Sequence, residues 1–213
     1  MANRRQSLAI LIVYFVIFTI PTLLTTLLPK LGSQIFVVET IDYLLGAVIL
    51  VGLANYHNEP NTLEAEPQSW TKTIYWGLLG AVLVTVGQVV ILQITQLLGQ
   101  SAASANTTEL MTVGRQYPVF FLAILVGAPI MEEIVFRKVI FGSLTPVTGT
   151  VGAAVISSLF FALAHADGHL ILYAFIGLLF CWLYRQTGRI ATSMIAHILM
   201  NIVAVLFSLL SIK

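Results

Sequence analysis

Charge is scarce in this chain. Only 9% of its 213 residues are Asp, Glu, Lys or Arg, and the formal net charge is +1. There is no basic field, so nucleic acid is not an implied partner. Cysteine is nearly absent too. Cys181 stands alone, which excludes an internal disulfide and any multi-thiolate zinc site. It reads as a small apolar residue in a helix. There is no internal repeat, no His-Glu-x-x-His and no serine in a nucleophile-elbow setting. What fills the chain instead is apolar: 58% hydrophobic residues and a mean hydropathy of +0.96. That is the multi-span membrane class, an all-α bundle embedded in a lipid bilayer, with no room for a sizeable soluble domain.

Seven apolar runs are long enough, or nearly so, to cross a bilayer core of about 30 Å. The first, Ser7 to Leu28, follows Arg4-Arg5 and lacks a small-residue cleavage site, so it reads as a retained span. The second, Ile35 to Tyr56, carries Glu39 and Asp42 early. A helix N-terminus favours carboxylates there, and facing an interior cavity is the alternative. His57 to Thr73 reads as a solvated loop, with His57 on the surface. The third span is Ile74 to Leu98, and Gly99 to Gln116 reads as a polar loop. The fourth span begins near Tyr117, is bent by Pro129, and ends at a Gly142 to Thr150 connection. The fifth is rich in small residues and ends at His165-Ala166-Asp167-Gly168. The sixth runs from about His169 to Tyr184, and the seventh from about Thr192 to Ser211. With the N-terminus inside, Arg4, Arg5, Lys72, Arg137, Lys138, Arg185 and Arg189 fall on the cytoplasmic side. Lys30, Arg115 and Lys213 fall outside, as the positive-inside rule expects. The whole, 1–213, reads as one integral membrane domain, with 1–116 as variable N-terminal spans and 117–213 as the motif-bearing core. The basic N-terminus and the uncleaved first span point to a bacterial plasma membrane.

Against this background three polar patterns stand out: Glu132-Glu133-x-x-x-Arg137, Phe161-x-x-x-His165 and His197-x-x-x-Asn201. Residues four apart lie above one another on a helix face. Glu133 and Arg137 therefore form an ion pair in the favoured orientation. Glu132, rotated by about 100° on the same helix, is left as the reactive carboxylate. Burying ionisable groups in a bilayer is costly, and a shared water-filled site accounts for several of them at once.

Two chemistries fit those residues. In one, Glu132 and His165 hold and deprotonate a water that attacks a peptide carbonyl, while His197 and Asn201 donate to the oxyanion. No cofactor is then required. In the other, Glu132, His165 and His197 bind Zn²⁺ as a His₂Glu site with an open water position.

The ordered trio resembles the CPBP family of intramembrane proteases, also called the Abi family. That family includes the CAAX prenyl endopeptidases and bacteriocin-processing or self-immunity proteins. The resemblance covers roughly 118–207. It implies an endopeptidase acting on membrane-associated peptides or proteins. Glu132 matches the catalytic glutamate, and Glu133 with Arg137 completes the first motif. His165, with Phe161 before it, matches the second motif, and His197 with Asn201 the third. The eukaryotic members cut after a prenylated cysteine, whereas bacterial members of this size generally lack such substrates. Members are often described as metalloproteases, although the Glu–His water arrangement needs no metal. A non-catalytic self-immunity protein acting by binding is the rival class.

One expectation concerns depth. With a fourth span ending near Gly142, Glu132 and His197 lie toward the cytoplasmic side and His165 toward the other. Convergence then requires tilted or short helices, or a turn at 166–169 that dips into the protein, and the expectation is a tilted bundle around a water-filled conical cavity.

Overall fold

The computed structural model describes residues 4–56, 60–99, 101 and 105–210. His57, Lys213 and the end of the seventh run at Ser211 lie outside them. Among the described residues the chain is helical and has no strand. The main helices are α1 (Arg4–Leu27), α2 (Ile35–Asn55), α3 (Trp70–Leu97), α4 (Ala105–Gln116), α5 (Ala128–Glu132), α6 (Gly142–His165), α7 (Leu170–Thr187) and α8 (Ile190–Leu210). A 3₁₀ turn at Pro118–Phe120 and π-helical segments at Ala123–Gly127 and Glu133–Phe141 join α5 and α6 into one helical stretch, Pro118–His165. Six stretches are long and apolar enough to cross a membrane. The 48-residue Pro118–His165 stretch folds back on itself, so the bundle has seven legs.

The fold-back comes at Gly149, whose backbone (φ 72, ψ 168) lies where a side chain would be strained. The Ser157 hydroxyl donates to the Phe136 carbonyl at 2.6 Å across the hairpin, and the Phe136 and Phe161 rings meet edge to face at 5.4 Å. The expected connection from Gly142 to Thr150 is therefore corrected. Most of it is helix, and the turn is a single glycine. Glu132 sits 17 residues before that glycine and His165 sits 16 after it, or about 25 Å along each leg. Equal legs bring the two residues to the same level. The depth problem posed by a short fourth span disappears.

Two polar segments differ from expectation. The polar stretch before Gln116, expected as a loop, contains α4, whose Met111 and Gly114 are buried. The loop after α2 is exposed along much of its length but is docked at Asn61, Glu64 and Gln68. Asn61 is buried and its amide donates to the Tyr184 hydroxyl at 2.8 Å. Lys138 pairs with Glu64 at 2.7 Å. Gln68 N donates to the Thr187 carbonyl at 2.8 Å, and Arg189 Nε donates to the Gln68 carbonyl at 2.6 Å. These contacts clasp the α7–α8 turn to the loop.

The outer surface is apolar, with Phe15, Val48, Val82 and Ile171 all largely exposed, while polar groups turn inward. Without a hydrophobic drive between helices in lipid, close packing decides association, and small residues allow it. A Cβ on Gly80 would fall 2.4 Å from Leu183 Cδ1, so α3 meets α7 and α8 through that gap. A Cβ on Gly177 would fall 2.9 Å from the Ser158 Cα, which as backbone cannot swing aside. Gly177→Ala is therefore expected to cost about 1–3 kcal/mol, read as a lower melting temperature in detergent. Gly52→Ala, where a Cβ would meet nothing within 4 Å, is expected to leave it unchanged or higher.

Candidate active site

Three helices bring four polar side chains to a cavity of about 620 Å³. Glu132 ends α5, His165 ends α6, and His197 and Asn201 lie one turn apart on α8; all four line that cavity, with Phe161 and Phe136. Glu133 and Arg137, one turn apart on the π-helical segment, lie behind it and are fully buried.

The base of the site is built on Arg137. Its guanidinium lies 4.2 Å from the Phe161 ring and 5.0 Å from the Phe180 ring, in a cation–π cage. Arg137 Nη1 is 3.4 Å from Glu133 Oε1. The same carboxylate oxygen is 3.0 Å from His197 Nδ1. A carboxylate facing Arg137 can only accept, so His197 Nδ1 carries the proton and Nε2 turns to the cavity. There it lies 3.7 Å from Glu132 Oε2. The ring is held flat against Phe180, with centroids 4.7 Å apart and planes at 27°.

His165 is fixed by a different set of contacts. Its Nδ1 donates to the Phe161 carbonyl at 2.9 Å, which can only accept, so in the neutral ring Nε2 presents a lone pair. Tyr173 stacks on it at 3.9 Å and 25°. The Tyr173 hydroxyl donates to Asp167 at 3.0 Å. Asp167 in turn accepts from the His169 backbone N–H at 3.1 Å. Between them Ala166 takes a left-handed conformation at φ 49, a position that L residues rarely adopt. Strain of this kind is held only where surrounding contacts over-determine it. Asp167, in the turn after α6, thus braces the ring that packs on His165. No periodicity marks Tyr173; only its place on the helix after the turn connects it to His165.

Asn201 donates through Nδ2 to the Ile124 carbonyl at 3.0 Å. Ile124 belongs to the π-helical segment Ala123–Gly127, directly before Pro129. A proline has no N–H to offer the preceding turn, and widened i→i+5 turns redistribute the carbonyls. The Phe136 carbonyl that accepts from Ser157 lies in the second π-helical segment. Glu39, weighed as a helix-end carboxylate, lines the cavity instead, whereas Asp42 is not part of its wall.

A zinc ion held by Glu132, His165 and His197 would need all three donors within about 2.0–2.2 Å of one point. Glu132 and His197 approach to 3.7 Å, but no group of three His, Cys, Asp or Glu side chains converges in that way among the described residues. The arrangement does not fit a three-ligand metal centre.

A scan against family models matches residues 114–203 to the type II CAAX prenyl endopeptidase Rce1-like family, a range holding all three motifs. The membrane-embedded CAAX protease MroQ of Staphylococcus aureus (strain USA300) is 33% identical over 221 residues, covering 96% of this chain and 90% of MroQ. This chain belongs to the CAAX protease family. The putative membrane peptidase YdiL of Bacillus subtilis (strain 168) is 35% identical over 139 residues, covering 64% of this chain and 57% of YdiL. The UPF0177 protein YxdF of Lactococcus lactis is 29% identical over 136 residues, covering 62% of this chain and 75% of YxdF. No solved structure matches. As a CAAX-protease-family member with seven apolar legs, the chain is an integral membrane protein of a membrane-protease family.

Glu132 and Glu133 are expected to part company when truncated. Removing Glu133 leaves Arg137 buried without its counter-charge, a loss of about 3–5 kcal/mol. Glu132 retains 21% of its side-chain exposure, and Glu132→Ala is expected to move stability by less than about 1 kcal/mol. Thermal unfolding of the two variants in one detergent separates them. Equal losses would contradict the assignment.

Proposed function

We propose that this protein is an intramembrane endopeptidase that hydrolyses peptide bonds of membrane-associated substrates with a water activated by Glu132 and His165. The observation that carries this reading is the shared cavity: Glu132, His165, His197 and Asn201, drawn from three helices, all line it. His165 Nε2, left as an acceptor by the Phe161 carbonyl, takes one hydrogen bond from the water, and the Glu132 carboxylate takes the other. Glu132 removes a proton as the water oxygen attacks the substrate carbonyl. Asn201 keeps one amide hydrogen on Ile124 and turns the second toward the developing oxyanion. His197 joins it as a second donor through Nε2 when the ring carries both protons. The tetrahedral intermediate collapses with the C–N bond breaking, and the proton held at the Glu132–His165 pair passes to the leaving amine. No metal enters these steps. The N-terminus lies on the cytoplasmic side in this reading, because Lys138, Arg185 and Arg189 belong to the end of the bundle clasped by the 60–69 loop.

The test is cleavage of a membrane-presented peptide library by purified protein, with and without chelator. Glu132→Gln, His165→Ala and His197→Ala are each expected to lower turnover by about 10²–10⁴-fold in folded protein. Chelator is expected to leave turnover unchanged. Loss with chelator and recovery with Zn²⁺ would replace this chemistry with the metal version, and absence of turnover from folded wild type would favour a protein that acts by binding.

Tyr173 offers a finer check. Tyr173→Phe keeps the ring on His165 and gives up the hydroxyl's bond to Asp167, so it is expected to retain most activity. Tyr173→Ala removes the ring and is expected to lower kcat by about 10–100-fold with KM little changed. Steady-state kinetics on one cleaved peptide reads both.

A further inference from the structure

The cavity holds one ionisable group that the hydrolytic chemistry leaves idle. Glu39, in the second turn of α2, is half-buried and lines the cavity wall. It makes no hydrogen bond or ion pair with any described residue. Among the described residues, no Lys or Arg lines the cavity, and its only carboxylates are Glu39 and Glu132. An ionisable side chain turned into a cavity within a membrane protein marks a path for substrate or ion. Extending the proposed endopeptidase reading, we propose that Glu39 is a specificity-determining residue that receives a cationic group of the substrate, a Lys or Arg side chain or a free N-terminal ammonium.

The packing of α2 sets the distance. Phe36 stacks on Tyr117 at 4.9 Å and meets Phe120 at 5.9 Å. A Cβ on Gly127 would fall 3.1 Å from the Tyr43 backbone, and one on Gly46 would fall 2.7 Å from Met131 Sδ. These contacts put α2 parallel to the helix that starts at Pro118, with residues 36, 43 and 46 level with about 120, 127 and 131. Glu39 is then level with about residue 123, nine residues before Glu132, or about 13 Å along the axis. A substrate held extended covers about 3.3–3.6 Å per residue. Allowing for the reach of a Lys or Arg stem, the cation lies about two to four residues from the scissile bond. Between the two carboxylates the wall is largely apolar, with Ile124, Leu125 and Ala128 among its residues, so the segment joining cation and scissile bond is apolar as well.

The experiment uses an apolar membrane-inserting peptide carrying Lys, Gln or Glu in turn at each of five positions on either side of the cut bond, with free and acetylated N-termini. Two readouts are taken. Cleavage by the wild type gives kcat/KM for each peptide, and fluorescence anisotropy gives binding to the Glu132→Gln protein with Glu39 intact, Glu39→Gln or Glu39→Lys. At one position, Lys is expected to be preferred over Gln by about tenfold in both readouts, equivalent to one buried, charge-assisted contact. Glu39→Gln is expected to bring that ratio near one, and Glu39→Lys to turn the preference to the Glu peptide, a gain that misfolding does not produce. A preference confined to internal Lys identifies a side-chain cation, and one confined to the free terminus identifies the ammonium. A Lys preference untouched by Glu39→Gln, or a wild type with no cationic preference at any position, overturns the proposal, and the wild-type scan alone decides if a variant does not fold. Binding preference without turnover would remove the protease reading and keep the Glu39 subsite; turnover without a Glu39-dependent preference would do the reverse.

Discussion

The rest of this site depends on a buried cation. Arg137 has no access to water, and its charge is met by one carboxylate, Glu133, and by the faces of Phe161 and Phe180. Such a pair is a poor source of net stability, because desolvating two ions offsets most of their attraction. What it supplies is orientation. Glu133 is committed on one side to Arg137 and accepts from His197 on the other, so the imidazole is held with Nε2 turned to the cavity. Phe161, which covers Arg137, is also the residue whose carbonyl sets the His165 tautomer. One buried guanidinium thereby organises both histidines.

The hairpin through Gly149 provides the other constraint. Its two legs are nearly equal from Gly149 to Glu132 and to His165, so the antiparallel pairing brings these residues to the same level of the bundle. The π-helical segments on the first leg do a second task. They offer main-chain carbonyls at Ile124 and Phe136 to side chains of α8 and α6. The helix that carries Glu132 is thus tied to its neighbours by its own backbone, at the places where regular α-helical bonding is interrupted.

Much of this was legible in the residues. Seven apolar runs, the i, i+4 pairing of Glu133 with Arg137, and the scarcity of charge led to an all-α membrane bundle and to the residues that line its cavity. Three features were not legible, each for a physical reason. Gly142 to Thr150 contains Gly, Pro and Thr, which composition reads as a connection, but in a bundle the continuing helix satisfies those backbone groups and only Gly149 leaves helical space. The α4 segment is polar overall, so hydropathy passes over it, although its buried Met111 and Gly114 share one face. Glu39 stands near enough to a helix start for the dipole to explain it. Only the parallel packing of α2 on the Pro118 helix shows that its face is the cavity.

Membership of the CAAX protease family supplies the class of reaction, and the geometry separates the parts that two adjacent glutamates play. Glu133 belongs to the scaffold through Arg137 and His197, and Glu132 belongs to the cavity. The most direct measurement of that division is a pair of double-mutant cycles on unfolding free energy, one between Glu133 and His197 and one between Glu132 and His197. The account predicts a coupling above about 1 kcal/mol for the first pair and one close to zero for the second. The opposite ordering would contradict it.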